Sequence, residues 1–135
     1  MELIGSRVCM KKDVGVHSNM FGGYMLSLID EAAAAYACMY ANTKRMVTLK
    51  ISELIFKKPV REGQIIRIYG DVLKVGRTSL TIKIVVKNHE PSNAEETVTT
   101  ETEMVFVRIN DLGEKTPIND IIREKFNSNY QKIYS

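Results

Sequence analysis

The sequence has no tryptophan, only two cysteines, two histidines and three prolines among its 135 residues. Each scarcity excludes something. Cys9 and Cys38 form no CxxC pair, and His17 and His89 complete no metal-ligand spacing. No metal and no cofactor is expected. Cys38 lies in an apolar, alanine-rich run and reads as a buried free thiol, with a Cys9–Cys38 disulfide as the lesser alternative. No apolar stretch reaches the ~20 residues needed to span a bilayer. The opening MELIGSRVCMKKD lacks the apolar core of a signal peptide. The expected compartment is therefore the cytoplasm, with no membrane partner. Charge imbalance is also missing, since 19 basic and 16 acidic residues leave a net +3. Nucleic-acid binding calls for a concentrated basic face, so no nucleic acid is expected, although a local basic patch could still hold a small anion.

What is present fits one domain, residues 1–135, large enough to bury a core without crosslinks. Residues 3–10 suit a short strand, and HSNMFGG (17–23) is turn-like. From Tyr24 to Ala41 the run YMLSLIDEAAAAYACMYA has no glycine or proline and is rich in alanine, which predicts a long helix with Asn42 as its stop. The pattern then changes to period two. Val47, Leu49 and Ile51 alternate with polar residues; so do Ile66, Ile68 and Val72, and then Leu80, Ile82, Ile84 and Val86. Gly76-Arg77 reads as a hairpin with glycine first, as a type II′ turn prefers. HEPSNAEE (89–96) is a loop, and 97–109 a last strand. The tail, 117–135, has apolar residues at Ile121, Ile122, Phe126 and Tyr130 that suit a short surface helix. Strand, helix and four hairpin-linked strands make an α+β chain with one helix on an antiparallel sheet. That helix is apolar nearly all round, whereas one lying on a single sheet should have a charged outer face. A second subunit is the economical cover.

The polar side chains at the centre of the helix are Ser27, Asp30 and Glu31, on one stripe because residues three and four apart are neighbours. The stripe is either the solvated side of an ordinary helix or a carboxylate partly desolvated at a subunit interface. Gly22-Gly23 directly precedes the helix. The two glycines either shape the turn or let a ligand approach the backbone, where free N–H groups and the positive end of the dipole could stabilise an oxyanion. Asn19, just ahead, could cap the turn or orient a water.

The string DVGVHSNMFGGYMLSLIDEAAAAYA (13–37) resembles the acyl-CoA thioesterases of the hotdog superfamily. Asp13, Asn19, Phe21, Gly22, Gly23 and Asp30 fall on that family's motif positions. VTLKISELIFKKPVREGQ (47–64) and VGRTSLTIKIVV (75–86) are similar to its next two blocks, in the same order. The chain departs at Gly15, where the family usually has Asn, and at Ser18, where it usually has Gly. The resemblance implies a hotdog fold: a curved antiparallel sheet wrapping the long central helix, with two units paired into a dimer that often assembles to a hexamer. It implies hydrolysis of acyl-CoA to fatty acid and coenzyme A. Asp30 would be the general base or, less favoured, a nucleophile; Asn19 would place water, and the backbone of Gly22 or Gly23 would polarise the carbonyl. Arg77 with Thr78 and Ser79 at the hairpin is the first choice for contacts to coenzyme A, and Lys58 and Arg61 the second. Met25, Met39 and Tyr40 are candidates for narrowing the acyl tunnel. The alternatives are a hotdog protein that binds coenzyme A or carrier-protein thioesters without hydrolysis, and a dehydratase-like activity with His17 near the site.

Overall fold

Alanine at every fourth position gives the central helix one nearly smooth ridge, and a sheet can approach such a ridge closely. In the computed structural model, which describes residues 1–134 and the side chains of 1–128, this helix is α1 (Gly22–Ala41). Met25, Ile29, Ala33, Ala37 and Ala41 form its buried ridge. The strands are β1 (Glu2–Val8), β2 (Met46–Ile51), β3 (Ile65–Val75), β4 (Ser79–Glu90) and β5 (Glu95–Arg108), and a second helix, α2 (Asp120–Tyr134), follows. They form one five-stranded antiparallel sheet in the order β1-β3-β4-β5-β2. The helix α1 touches every strand of it, so the sheet curves around the helix.

The central strand carries the clearest alternation. Leu80, Ile82, Ile84 and Val86 of β4 are fully inaccessible, and Ile66 and Ile68 of β3 are buried beside them. The alternation expected of β2 fails. Met46 is buried, whereas Val47 and Leu49 are 39% and 55% exposed. The strand lies at the sheet edge and pairs only with β5, and its register slips between Thr48 and Lys50, a bulge at Leu49. The bulge breaks period two, and the open edge leaves apolar side chains uncovered.

Three further expectations change. The β3–β4 connection is no type II′ turn, because that turn needs positive φ at its first glycine and only Gly63 and Gly113 among the glycines have it. Instead the Gly76 N–H donates to the Ser79 carbonyl at 2.8 Å. Cys9, not Cys38, is the buried thiol, and both are free. Burial, helped by Asp13, pushes the Cys9 thiol pKa up. In α2, Ile122 packs against the core while Ile121 is exposed; the side chain of Tyr130 lies outside the described residues. No helix among the described residues is long and apolar enough to cross a membrane.

Asn42 ends α1 as the sequence suggests, in the left-handed region at φ 54°. Its N–H donates to the Cys38 carbonyl. A branched side chain is strained there by about 1–2 kcal/mol, and glycine is not. Asn42→Val should therefore lower the unfolding free energy by that much, read as a lower urea midpoint at unchanged m, while Asn42→Gly stays within a few tenths of a kcal/mol of wild type, at fixed protein concentration. Equal loss in both would show that the Asn42 side chain, not its backbone angle, holds the helix end.

Candidate active site

Three segments converge at the N-terminal end of α1. Residues 13–21 close on themselves: the Gly15 N–H donates to the Asn19 carbonyl at 2.9 Å, and the Phe21 N–H to the Asp13 carbonyl at 3.2 Å. The buried Asp13 carboxylate accepts the Met10 N–H at 2.8 Å, so Asp13 anchors the loop. Ser18 takes φ 63°, at the position where the resemblance leads one to expect glycine; the left-handed region costs a side-chain-bearing residue about 1–2 kcal/mol. A Cβ at Gly15 would stand 2.9 Å from the ring of Phe21. The asparagine usual in the family would have to displace that ring, so the two departures in this loop have a local structural setting.

The loop is fastened to the segment that follows β2. The Met20 N–H donates to the Val60 carbonyl at 2.8 Å, and Asn19 forms a bridge with Arg61. Gln64 Oε1 accepts both the Arg61 N–H and the Asn88 side-chain amide, each at 2.8 Å. A cavity of about 310 Å³ lies between the loop, the first turn of α1, residues 56–60 and β5. Its walls are mainly apolar, with Met20, Met25 and Phe56 prominent. Asn19, Gly22, Lys58 and Thr99 add the polar part. Phe21 occupies the helix N-cap and its side chain makes no capping bond. The first-turn N–H groups are thus left without a side-chain cap beside the cavity.

Asn19, Gly22 and Lys58 are therefore brought together, with Arg61 adjacent through its bridge to Asn19. Gly23 is exposed and does not line the cavity. Asn19 does not cap the helix; its Oδ1 is buried without a hydrogen-bond partner. Asp30 is not at the cavity. It is half-buried on the flank of α1, where its Oδ1 accepts the Thr48 hydroxyl of β2 at 2.7 Å. Ser27 and Glu31 are exposed, so the stripe read from the sequence divides and Asp30 alone is held. Arg77, Thr78 and Ser79 stand at the opposite end of the sheet. Ser79 pairs with Val107, eight residues along β5 from Thr99, or about 26 Å at strand rise. The backbone of this hairpin is clamped, since the Arg77 and Thr78 carbonyls accept the Ile118 and Arg108 N–H groups at 2.8 and 2.9 Å. Among the tunnel candidates Met25 lines the cavity, Met39 is 81% exposed, and Tyr40 stacks obliquely on Tyr36. His17 is exposed and does not line the cavity. Among the described residues no cluster suits a metal ion.

Two residues escaped the sequence reading. Thr48 meets Asp30 from 18 positions away, and Thr99 enters the cavity from a strand whose pattern gave no sign of it.

The five-stranded sheet wrapped on one long helix is the hotdog arrangement. The chain belongs to the thioesterase superfamily, whose family model matches residues 17–95. It is 30% identical over 110 residues to an uncharacterized acyl-CoA thioester hydrolase of Buchnera aphidicola, covering 79% of this chain and 81% of that one. It spans about half the length of the similarly named proteins of Haemophilus influenzae and Zymomonas mobilis. A hexameric hotdog-fold thioesterase of Campylobacter jejuni superposes with a TM-score of 0.82 at 30% identity, over 94% of this chain and 97% of that one. A hexameric broad-specificity acyl-coenzyme A thioesterase, in a mutant with aspartate replaced by alanine, superposes with a TM-score of 0.87 at 26% identity, over 98% and 96% of the two chains.

The paired glycines differ in what surrounds them. A Cβ at Gly22 would stand 3.0 Å from the Phe56 ring, whereas one at Gly23 would meet nothing within 4 Å. Gly23→Ala should raise Tm, since alanine is favoured over glycine in a helix by up to ~1 kcal/mol. Gly22→Ala should fall short of that gain, because Phe56 must shift. Equal Tm shifts, at one protein concentration, would show that Phe56 places no limit on Gly22.

Proposed function

We propose that the chain hydrolyses acyl-CoA thioesters at a site built from two copies of itself. The observation that carries this reading is the separation of its parts. Asn19 and Gly22 line the cavity at the start of α1, while Asp30 is held by Thr48 elsewhere. Gly22 and Asp30 are eight residues apart on one helix, or about 12 Å at 1.5 Å per residue. A general base and an oxyanion donor must both reach one reacting centre, directly or through one water. A second α1 running antiparallel brings its own Asp30 to the cavity of the first. The exposed apolar residues Leu26, Val47, Leu49 and Phe56 lie along the helix, the edge strand and the segment after it, and they supply surface for such a pairing. The hexameric relatives support assembly beyond one chain.

In this site the backbone N–H of Gly22, which lines the cavity, or that of Gly23 next to it polarises the thioester carbonyl. Asn19 holds a water against it, and Asp30 of the partner subunit takes a proton from that water. As the C–O bond forms, charge gathers on the carbonyl oxygen at the helix N-terminus. Collapse breaks the C–S bond, and the proton on Asp30 passes to the departing thiolate, giving a free acid and coenzyme A. Lys58 and Arg61 beside the cavity suit the anionic part of the substrate. In an antiparallel pair the hairpin of Arg77, Thr78 and Ser79 comes from the other chain, which reconciles its distance from the cavity with a role in binding coenzyme A.

Asp30→Asn should keep the fold and lower kcat by ~10²–10⁴, the usual contribution of a general base, while Glu31→Gln loses far less. Thiol release from acyl-CoA reads both, and equal losses would remove Asp30 from its role. The shared site has a separate test. Asn19→Ala and Asp30→Ala proteins, each nearly inactive, are unfolded together and refolded as a mixture. Random pairing makes about half the dimers mixed, and each mixed dimer has one intact site and one doubly damaged site. About a quarter of wild-type activity should return. No recovery, with subunit exchange confirmed by mass, would place each site within a single chain.

A further inference from the structure

The edge of β5 that faces away from β4 changes neighbours part-way along. β2 pairs with it from Met46 opposite Arg108 to Ile51 opposite Met104. Beyond Ile51 the chain follows the same edge without forming a strand. Three bonds hold it there. The Ser52 N–H donates to the Glu103 carbonyl at 2.9 Å, the Thr100 hydroxyl to the Ile55 carbonyl at 2.6 Å, and the Lys57 N–H to the Thr99 carbonyl at 2.7 Å. The last two sit at a β-bulge. Val86 of β4 pairs with Thr100 and Lys87 with Val98, so Thr99 is the extra residue. Bulges re-aim the groups around them, and they recur beside active sites.

Phe56 lies between those two bonds. The Ile55 carbonyl belongs to the peptide group before it and the Lys57 N–H to the peptide group after it, so both are tied to β5. The ring that this backbone carries lines the cavity. Its Cε2 and Cζ atoms stand 3.0 and 3.4 Å from the place a Cβ on Gly22 would take. The ring therefore lies against the first residue of α1, whose N–H is the proposed donor to the thioester. A carbonyl oxygen that accepts this N–H puts its carbonyl carbon about 4 Å from the nitrogen. The mainly apolar walls suit the acyl chain rather than the amides of the coenzyme A arm. The first carbons of the acyl chain then pass beside the Phe56 ring. A straight chain presents a methylene there. A methyl branch next to the carbonyl needs extra room beside a ring whose backbone cannot retreat, and overpacking opposes it.

We infer that Phe56 determines acyl specificity: its ring admits acyl groups that are unbranched next to the carbonyl and rejects those with a methyl branch there. This rests on the thioesterase reading above and names the substrate class as straight-chain acyl-CoA. Thr100 is a positioning residue, acting on the ring through the Ile55 carbonyl.

The test measures thiol release from straight and 2-methyl-branched acyl-CoAs of equal carbon number, at several lengths. Each pair has the same atoms, and comparing its kcat/KM ratio between proteins cancels the intrinsic reactivity of the isomers. Wild type should prefer the straight isomer by about tenfold or more, the lower end of what one methylene is worth in a pocket. Phe56→Ala should reduce that ratio by about tenfold, and Phe56→Leu, which keeps apolar surface for pairing, by less. Thr100→Val should lower the ratio in the same direction, while Thr100→Ser, which keeps the hydroxyl, holds it. A purely structural loss slows both isomers alike and leaves the ratio unchanged. A ratio unchanged in both Phe56 variants overturns the inference alone, as does an active wild type with no preference for the straight isomer. Should alanine abolish activity, the leucine variant decides. An unchanged ratio in Thr100→Val removes Thr100 from its positioning role. A wild type that releases thiol from no acyl-CoA overturns the hydrolase reading and this inference with it.

Discussion

The contact of the alanine ridge of α1 with the concave sheet governs the rest of the molecule. Ala33, Ala37 and Ala41 continue the line of Met25 and Ile29, and all five are buried. Small side chains let β4 and its neighbours come close enough for the sheet to curl around the helix. Deep burial of Leu80, Ile82 and Ile84 follows from that approach. Cavities or overpacking in such a layer cost about 1–5 kcal/mol per side chain. One sheet covers only one side, however. Leu26 and Met39 stay exposed on the helix, as do Val47 and Leu49 on the sheet edge beside it. The geometry that makes the single chain foldable therefore also leaves it with surface suited to a second copy.

A division of labour along α1 follows. Its N-terminal turn belongs to the cavity, with the loop of Asn19 on one side and the bulged β5 on the other. Its middle belongs to β2, through the bond between Asp30 and Thr48. The helix keeps these two regions about 12 Å apart along its axis. On the proposed reading, two antiparallel copies bring the carboxylate of one to the cavity of the other. Activity on this reading depends on assembly for a geometric reason rather than through any change in the fold.

Much of this was legible in the sequence because it is local. Alanine content gave α1, period two gave β3 and β4, and Asn42 marked the helix end. Asn19 and Gly22 of the motif marked the cavity, though Gly23 does not line it, and the spacing of Gly22 and Asp30 marked their separation. What was missed depends on pairing between distant segments. The exposure of Val47 and Leu49 comes from an edge position and a bulge, and neither is encoded in the six residues of β2 themselves. The run VTTETE reads as a plain alternating strand, and only the register against Val86 and Lys87 makes Thr99 the extra residue. The partner of Asp30 lay 18 positions away on another element. Glycine at 76 suggested a turn type, but the backbone bond from Gly76 to Ser79 and the clamp of residues 108–118 set another conformation.

Several departures from local rules gather at the start of α1, while others lie elsewhere, at Ala94, Asn88 Oδ1 and Arg123 Nε. Ser18 takes a left-handed backbone that glycine would adopt without strain, and α1 begins without a side-chain cap. Thr99 interrupts the β4–β5 ladder, and its hydroxyl and Asn19 Oδ1 are buried without partners. All four lie around one cavity at one end of the helix, whereas the opposite end of α1 closes on Asn42 in a way the sequence predicts. Each unpaired buried polar group opposes folding by about 1–3 kcal/mol, and a missing cap by about 1 kcal/mol. In a marginally stable fold, such features persist together where they serve something other than stability. Among them, the uncapped start of α1 belongs to a turn whose first residue, Gly22, lines the cavity. A thioester carbonyl needs donors there, and a water about to attack it needs an acceptor. On the proposed reading, the uncapped N–H groups at the start of α1 are the donors that hydrolysis uses.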